Sequence, residues 1–203
     1  MTRLFAILAC LTLALPASAL EVFYPALFRV TGVASNDVLN IREEPSAQAP
    51  IVGSLQPHDT AVEVLGRSDD GRWGLVRTPE THGWSSMRYL APLGHDPWFF
   101  GKTEIVCSGT EPFWTMTYFR PTNRVEYIAP DDSFEMRVMA DTPPHTLYPQ
   151  TMGLPLTGAR QGFAVIRQSL CFDGMSDSAY GLETQVYWQG DHAPLSGCCM
   201  LRP

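Results

Sequence analysis

The sequence predicts an all-β protein, a small five-stranded barrel followed by a second, disulfide-stapled β-roll or barrel. Three observations carry this reading. Apolar residues come in short runs that alternate with polar ones, the period of a half-buried strand. Glycine (16) and proline (17) are frequent among the 203 residues, which favours many short elements joined by turns. No heptad, no repeat of 20 to 50 residues and no convincing amphipathic helix is visible. A chain of this length holds one or two domains.

The first nineteen residues stand apart. Arg3 precedes the apolar stretch Leu4 to Leu15, broken only by Thr12, and Pro16 ends it before Ala17-Ser18-Ala19. This is the pattern of a secretory signal peptide cleaved after Ala19, too short to span a bilayer that needs ~20 apolar residues. A lipoprotein reading through Ile7-Leu8-Ala9-Cys10 leaves too little apolar chain before the cysteine. The expected location is periplasmic or secreted.

Cys10 leaves with the signal, so Cys107, Cys171, Cys198 and Cys199 remain. An even count in an exported chain reads as disulfides. All four lie beyond the Pro- and Gly-rich stretch Ala91 to Pro97, which places a boundary near residue 94 and gives units at 20–93 and 94–203.

The first unit is expected to form five strands in order. They are Val38 to Arg42, Ile51 to Leu55, Ala61 to Leu65, Trp73 to Arg77, and one beginning at Gly83 to Ser86. Glu43-Glu44-Pro45-Ser46 and Ser68-Asp69-Asp70-Gly71 supply turn chemistry. Closure into a small barrel leaves no long edge exposed. Several spaced blocks then carry a resemblance: Leu39-Asn40-Ile41-Arg42-x-x-Pro45-Ser46, Ile51-Val52-Gly53-x-Leu55, Val62-x-Val64-Leu65, Gly71-x-Trp73-x-x-Val76, Gly83-Trp84 and Tyr89-Leu90. Residues 29–93 resemble a bacterial SH3 (SH3b) domain, with Ser85 where the family usually has valine. The resemblance implies an SH3-like barrel that binds cell-wall or envelope-protein peptides. Trp73, Trp84 and Tyr89 are the candidate ligand face. Barrel core is the first reading of both tryptophans, since aromatics supply most of the apolar area in so small a domain.

The second unit is expected to form strands at Lys102 to Val106, Thr115 to Phe119, Arg124 to Ala129, Ser133 to Ala140, Gly162 to Leu170, Thr184 to Trp188 and Ala193 to Leu201. Trp98-Phe99-Phe100 is a docking linker or a first strand, and Met175 to Leu182 a helical turn. Three blocks span the unit: Cys107-x-Gly109-x-Glu111-Pro112-Phe113-Trp114, Cys171-x-Asp173-Gly174-Met175-Ser176-Asp177, and Gly197-Cys198-Cys199. They resemble a family of bacterial envelope proteins with no assigned activity, and the closing half is similar to META-type domains. Adjacent Cys198 and Cys199 in a strand point to opposite faces and so reach different partners. Two pairings meet that condition: Cys171–Cys198 with Cys107–Cys199, which chain order favours, and Cys107–Cys198 with Cys171–Cys199.

Glu111, Trp114, Asp173, Ser176 and Asp177 are the second unit's candidate site residues. A buried Glu111 with Asp173 or Asp177 is the arrangement a hydrolase requires. Asp-Gly-x-Ser-Asp is equally what a turn requires, since Asp and Ser bond nearby amides and Gly takes positive φ. Ser176 lacks a G-x-S-x-G elbow. No metal and no cofactor are expected, because the five histidines are scattered in turns and no C-x-x-C pair exists. With 21 acidic against 14 basic residues and Lys102 the one lysine, nucleic acid is excluded as a partner. The leading function is a non-enzymatic envelope protein that binds cell-wall or protein peptides. The alternatives are an envelope hydrolase and a proteinaceous inhibitor of a secreted hydrolase, the last because an acidic surface steers onto basic enzymes.

Overall fold

The computed structural model describes residues 22–94, 96–143 and 150–203. The segment read as a signal peptide and the histidines at 95 and 145 lie outside them. Among the described residues almost all regular structure is strand, and no helix is long and apolar enough to cross a membrane.

The first unit is a single antiparallel sheet. Its strands are β1 (Ala26–Val30), β2 (Leu39–Arg42), β3 (Ile51–Leu55), β4 (Val62–Arg67), β5 (Trp73–Arg77), β6 (His82–Ser86) and β7 (Leu90–Pro92). They lie in the order β3-β2-β6-β5-β4-β1-β7. The sheet wraps a core of Phe28, Val30, Leu39, Ile41, Leu55, Val62, Val64, Val76 and Leu90. The five expected strands are present, and two more flank them. β1 carries the weak signal ALFRV, and β7 is a three-residue strand that runs into the start of the stretch read as linker. Each is stabilised by its partner rather than by propensity, through the register Phe28↔Pro92 and Val30↔Leu90. Ser85 is fully buried, and its hydroxyl donates to the Asn40 carbonyl at 3.1 Å.

The second unit is a closed barrel of eight strands, β8 (Glu104–Thr110), β9 (Phe113–Phe119), β10 (Arg124–Ala129), β11 (Asp132–Val138), β12 (Thr151–Gly158), β13 (Gly162–Phe172), β14 (Ala179–Trp188) and β15 (Leu195–Arg202). Neighbours run β10-β11-β12-β13-β14-β15-β8-β9. Strict alternation along β8 turns Ile105, Cys107 and Gly109 inward, where they meet Met116, Tyr118, Met152, Leu154, Ile166 and Leu182. Sequence reasoning misses β12, because Gly153 and Pro155 weaken a strand signal. Pro155 is tolerated because the ladder to β11 ends at Val138↔Leu156. Its carbonyl accepts from Met139 N–H at 3.1 Å, so its donorless nitrogen faces the side where the ladder has stopped. The helical turn expected at Met175 to Leu182 is absent: a loop runs to Ser178 and β14 is extended from Ala179. Pairing Tyr180 with Cys171 across the sheet outweighs any local helical preference.

Cys107 is bonded to Cys199 and Cys171 to Cys198. The first bond joins directly opposed residues of β8 and β15 inside the barrel. It closes a 92-residue loop, for which the chain-entropy model gives about 4–5 kcal/mol of stabilisation. The second closes 27 residues and contributes about 3.5 kcal/mol in the same model. Trp98 and Phe99 are a docked linker rather than a strand, and both belong to the barrel core. The Trp98 indole donates to buried Gln150 at 2.7 Å. Arg120 donates to the carbonyls of Trp98 (2.5 Å) and Phe99 (2.9 Å) and pairs with Asp141 at 3.1 Å.

The two units share a packed boundary. Phe23 and Leu27 from the first pack on the barrel core, with Phe23 edge-on to Phe99 at 5.7 Å. Gly181 of β14 lets the units approach closely, since a Cβ there would lie 2.8 Å from Pro25 and 3.3 Å from Leu65. Ser178 Oγ donates to the Thr78 carbonyl at 2.7 Å, and the Arg77 guanidinium lies 4.5 Å over the Tyr180 ring.

Candidate functional site

On the first unit, away from that boundary, a groove of about 630 Å³ opens. This lies within the ~300–1,000 Å³ usual for ligand sites. Its walls come from the loop after β1 (Gly32 to Ala34, Asp37, Val38), the start of β2, Trp73 of β5, and the turn Ser86 to Tyr89. The period of two explains what faces it. Val76, Ile41 and Leu39 turn inward, so Trp73 and Ser86, which are directly opposed on β5 and β6, turn outward. The Trp73 amide donates to Ser68 Oγ at 3.0 Å, anchoring its strand position. Tyr89 sits in a single 3-10 turn, Met87–Tyr89, and its carbonyl accepts from Thr31 N–H at 2.8 Å. That bond holds the Gly32 loop against the Tyr89 ring.

Residues 37–91 match the family model of the bacterial SH3 domain. No curated protein and no solved structure matches the chain. The bacterial SH3 unit therefore contains most of this groove, and two of its three singled-out aromatics, Trp73 and Tyr89, line it. Trp84 stands on the same sheet face, opposite Leu75 and Arg42, outside the groove lining. The core reading of the tryptophans is corrected: both are half-buried on the outer face, and aliphatic residues with Phe28 fill the interior. Sequence reasoning passed over Arg42 and Arg88, which also line the groove. A signal for both was present, since Arg42 closes the Leu39-Asn40-Ile41-Arg42 block and Arg88 precedes Tyr89.

Where the barrel docks, the SH3 unit holds an unforeseen group. Glu63 of β4 is 5% exposed, and its Oε1 accepts from the Leu201 amide of β15 at 2.9 Å. Its Oε2 and the Arg77 Nε are buried without hydrogen-bond partners among the described residues. Burial pushes the Glu63 carboxyl up to about 7, against the opposing pull of the Leu201 N–H and the Arg77 charge. The alternation of β4 gave no warning, because Val62, Glu63, Val64 and Leu65 are all buried.

The second unit's motif residues are placed as follows. Trp114 is 3% exposed inside the barrel. A Cβ at Gly109 would strike its indole Nε1, and one at Gly197 would strike the Ser108 carbonyl and lie 3.0 Å from Trp114 Cζ2. The two glycines of the first and last blocks thus make room for the tryptophan and for the neighbouring strand. Glu111 is exposed in the turn between β8 and β9. It shares with Asp173, Glu183 and the Cys171–Cys198 bond the lining of a polar hollow of about 460 Å³.

Asp173 is held by its own loop. Its Oδ1 accepts from the amides of Met175 (3.0 Å) and Ser176 (2.9 Å), and its Oδ2 from Tyr180 at 3.1 Å, with Ser176 Oγ 3.2 Å from both oxygens. Desolvation raises its pKa, and these donors outweigh it, so the carboxyl sits below its ordinary value. A carboxylate so held has no proton to deliver near neutrality. Asp177 is exposed, and its carbonyl faces His82 Nδ1 of the SH3 unit at 2.6 Å. Ser176 bonds within the loop, and its hydroxyl also accepts from the Ser178 amide at 3.3 Å. The Asp173 to Ser178 loop is an arm that ties barrel to SH3 unit.

Proposed function

We propose that this chain is a non-enzymatic cell-envelope protein whose SH3 unit binds cell-wall or envelope-protein peptides in the Trp73–Tyr89 groove. One observation carries the reading: within the residues that match a bacterial SH3 domain, Trp73 turns outward into an open groove that Tyr89, half-buried against the core, also lines. An outward aromatic beside polar groups is what an extended peptide needs, an apolar face to lie on and hydrogen-bond partners at the sides. The two disulfides fit an exported chain, and the signal-peptide pattern read at residues 1–19 supports a periplasmic or secreted location. In this reading the barrel, which we place with the envelope-protein family and near META-type domains, is a rigid second unit that braces the SH3 unit through the Asp173 arm.

The test is retention on purified peptidoglycan sacculi. Wild type should be retained, Trp73→Ala and Tyr89→Ala should lose most of that retention, and Trp84→Ala should keep it. Circular dichroism and thermal melting confirm that each variant is folded. Equal retention by folded Trp73→Ala and wild type would remove the groove from the reading.

A further inference from the structure

We infer that the SH3 groove takes an extended peptide through its free C-terminal carboxylate, with Arg88 as the anchoring cation. The inference rests on the peptide-binding reading above and adds the chemistry of the ligand.

The groove is cationic on a protein of formal net charge −7. Arg88 and Arg42 both line it. Arg88 is exposed and has no salt-bridge or hydrogen-bond partner among the described residues, and its guanidinium stands 5.6 Å over the Tyr89 ring. Six other arginines pair with carboxylates, Arg72, Arg120, Arg124, Arg160, Arg167 and Arg202. Arg42 donates one nitrogen to the Ala49 carbonyl at 2.7 Å, which fixes its stem and leaves its other donors open. One acid lines the groove, Asp37, and its Oδ1 accepts from the Val38 amide at 2.8 Å. A planar guanidinium held against an aromatic face suits bidentate pairing with a carboxylate.

The remaining lining decides the kind of carboxylate. Gly32, Ala34 and Ala47 are small, and Trp73 and Tyr89 supply flat faces. Such walls fit a peptide backbone with small side chains. A chain terminus brings its charge on the backbone itself, without the flexible stem of a glutamate.

The full chain is titrated with N-acetyl-Ala-Gly-Ala-Ala bearing a free carboxyl terminus, with the same peptide amidated, and with the N-acetyl-Ala-Glu-Ala-Ala amide. Amide chemical shifts of residues 32–42 and 86–89 are followed. The free acid should perturb them and bind about three- to tenfold more tightly than either amide, with the advantage shrinking as salt rises. Arg88→Gln should abolish that preference, and Arg88→Lys should restore only part of it. Equal binding of acid and amide, or better binding of the Glu-containing amide, overturns the terminal-carboxylate assignment while leaving a peptide groove in place. If none of the three peptides perturbs the groove, the assignment also fails. Sacculi then decide the broader reading: wild type still retained keeps it, and wild type unretained removes it.

Discussion

The SH3 unit and the barrel use their conspicuous residues in opposite ways. The barrel has the denser motifs, yet most of its named side chains are consumed in building it. Trp114 fills the space left by Gly109 and Gly197, the four cysteines are bonded, and Asp173 knits its own loop. The SH3 unit has the plainer sequence, yet Trp73, Tyr89, Arg42 and Arg88 are left facing a groove. Residues that recur in tight spacing are therefore no guide to chemistry on their own. What distinguishes the groove is side chains whose donors and faces are open to a ligand; the Trp114 indole N–H also lacks a partner among the described residues, but it is sealed inside the barrel.

That contrast breaks first at Trp114. If the tryptophan is architecture, Trp114→Ala should destabilise the protein by about 3–5 kcal/mol, the usual cost of emptying a large aromatic from a packed interior. Because Gly109 and Gly197 cannot move into the vacated space, little of the cavity should collapse. Urea unfolding under oxidising conditions measures it, with sacculus retention below the transition as the companion readout. A folded variant with unchanged stability, or one that loses retention while its SH3 unit stays native, would make Trp114 something other than core.

Glu63 sharpens the comparison at the seam between the units. Its folded pKa of about 7 lies above the ordinary carboxyl value of 4.5. The folded state therefore binds its proton more tightly than the unfolded chain. The stabilisation is present in full below pH 4.5 and is lost as pH rises through about 7, a change of about 3 kcal/mol across that window. The charged groups facing the carboxyl are few. Arg77 of β5 pulls toward ionisation, and Arg77 is itself stacked on Tyr180 of β14. Glu63→Gln keeps an acceptor for Leu201 N–H and cannot ionise. It should flatten this part of the pH dependence and leave the variant more stable than wild type at pH 8. Denaturant midpoints at pH 5 and pH 8 for both proteins check this, and parallel pH profiles would refute it.

How much of this was legible beforehand follows the same physics. A strand such as Thr115 to Phe119, whose polar and apolar residues alternate, could be read because its signal is local. The strands Ala26–Val30, Leu90–Pro92 and Thr151–Gly158 could not, because partners in the sheet stabilise them and prolines blur them. Trp73 and Tyr89 could be named as a face, but not separated from Trp84, since outward positions on neighbouring strands look alike in sequence. Arg88 was overlooked because an exposed arginine is ordinary until the groove around it is known. Glu63 was invisible, since its burial is created by a strand 138 residues further along.

The smallest effect expected is on the stability of Arg88→Gln. Arg88 is exposed, forms no ion pair among the described residues, and stands 5.6 Å over the Tyr89 ring. Exposed charges without partners contribute little, so the change in unfolding free energy should stay within about 0.5 kcal/mol. Arg120, by contrast, holds the Trp98 and Phe99 carbonyls and Asp141 at the end of the barrel. Thermal melts of the two glutamine variants side by side make the comparison direct: Arg120→Gln should melt well below wild type and Arg88→Gln with it. A groove arginine that proved as destabilising to remove as Arg120 would be part of the scaffold, and the division between residues that build and residues that bind would no longer follow the boundary between the two units.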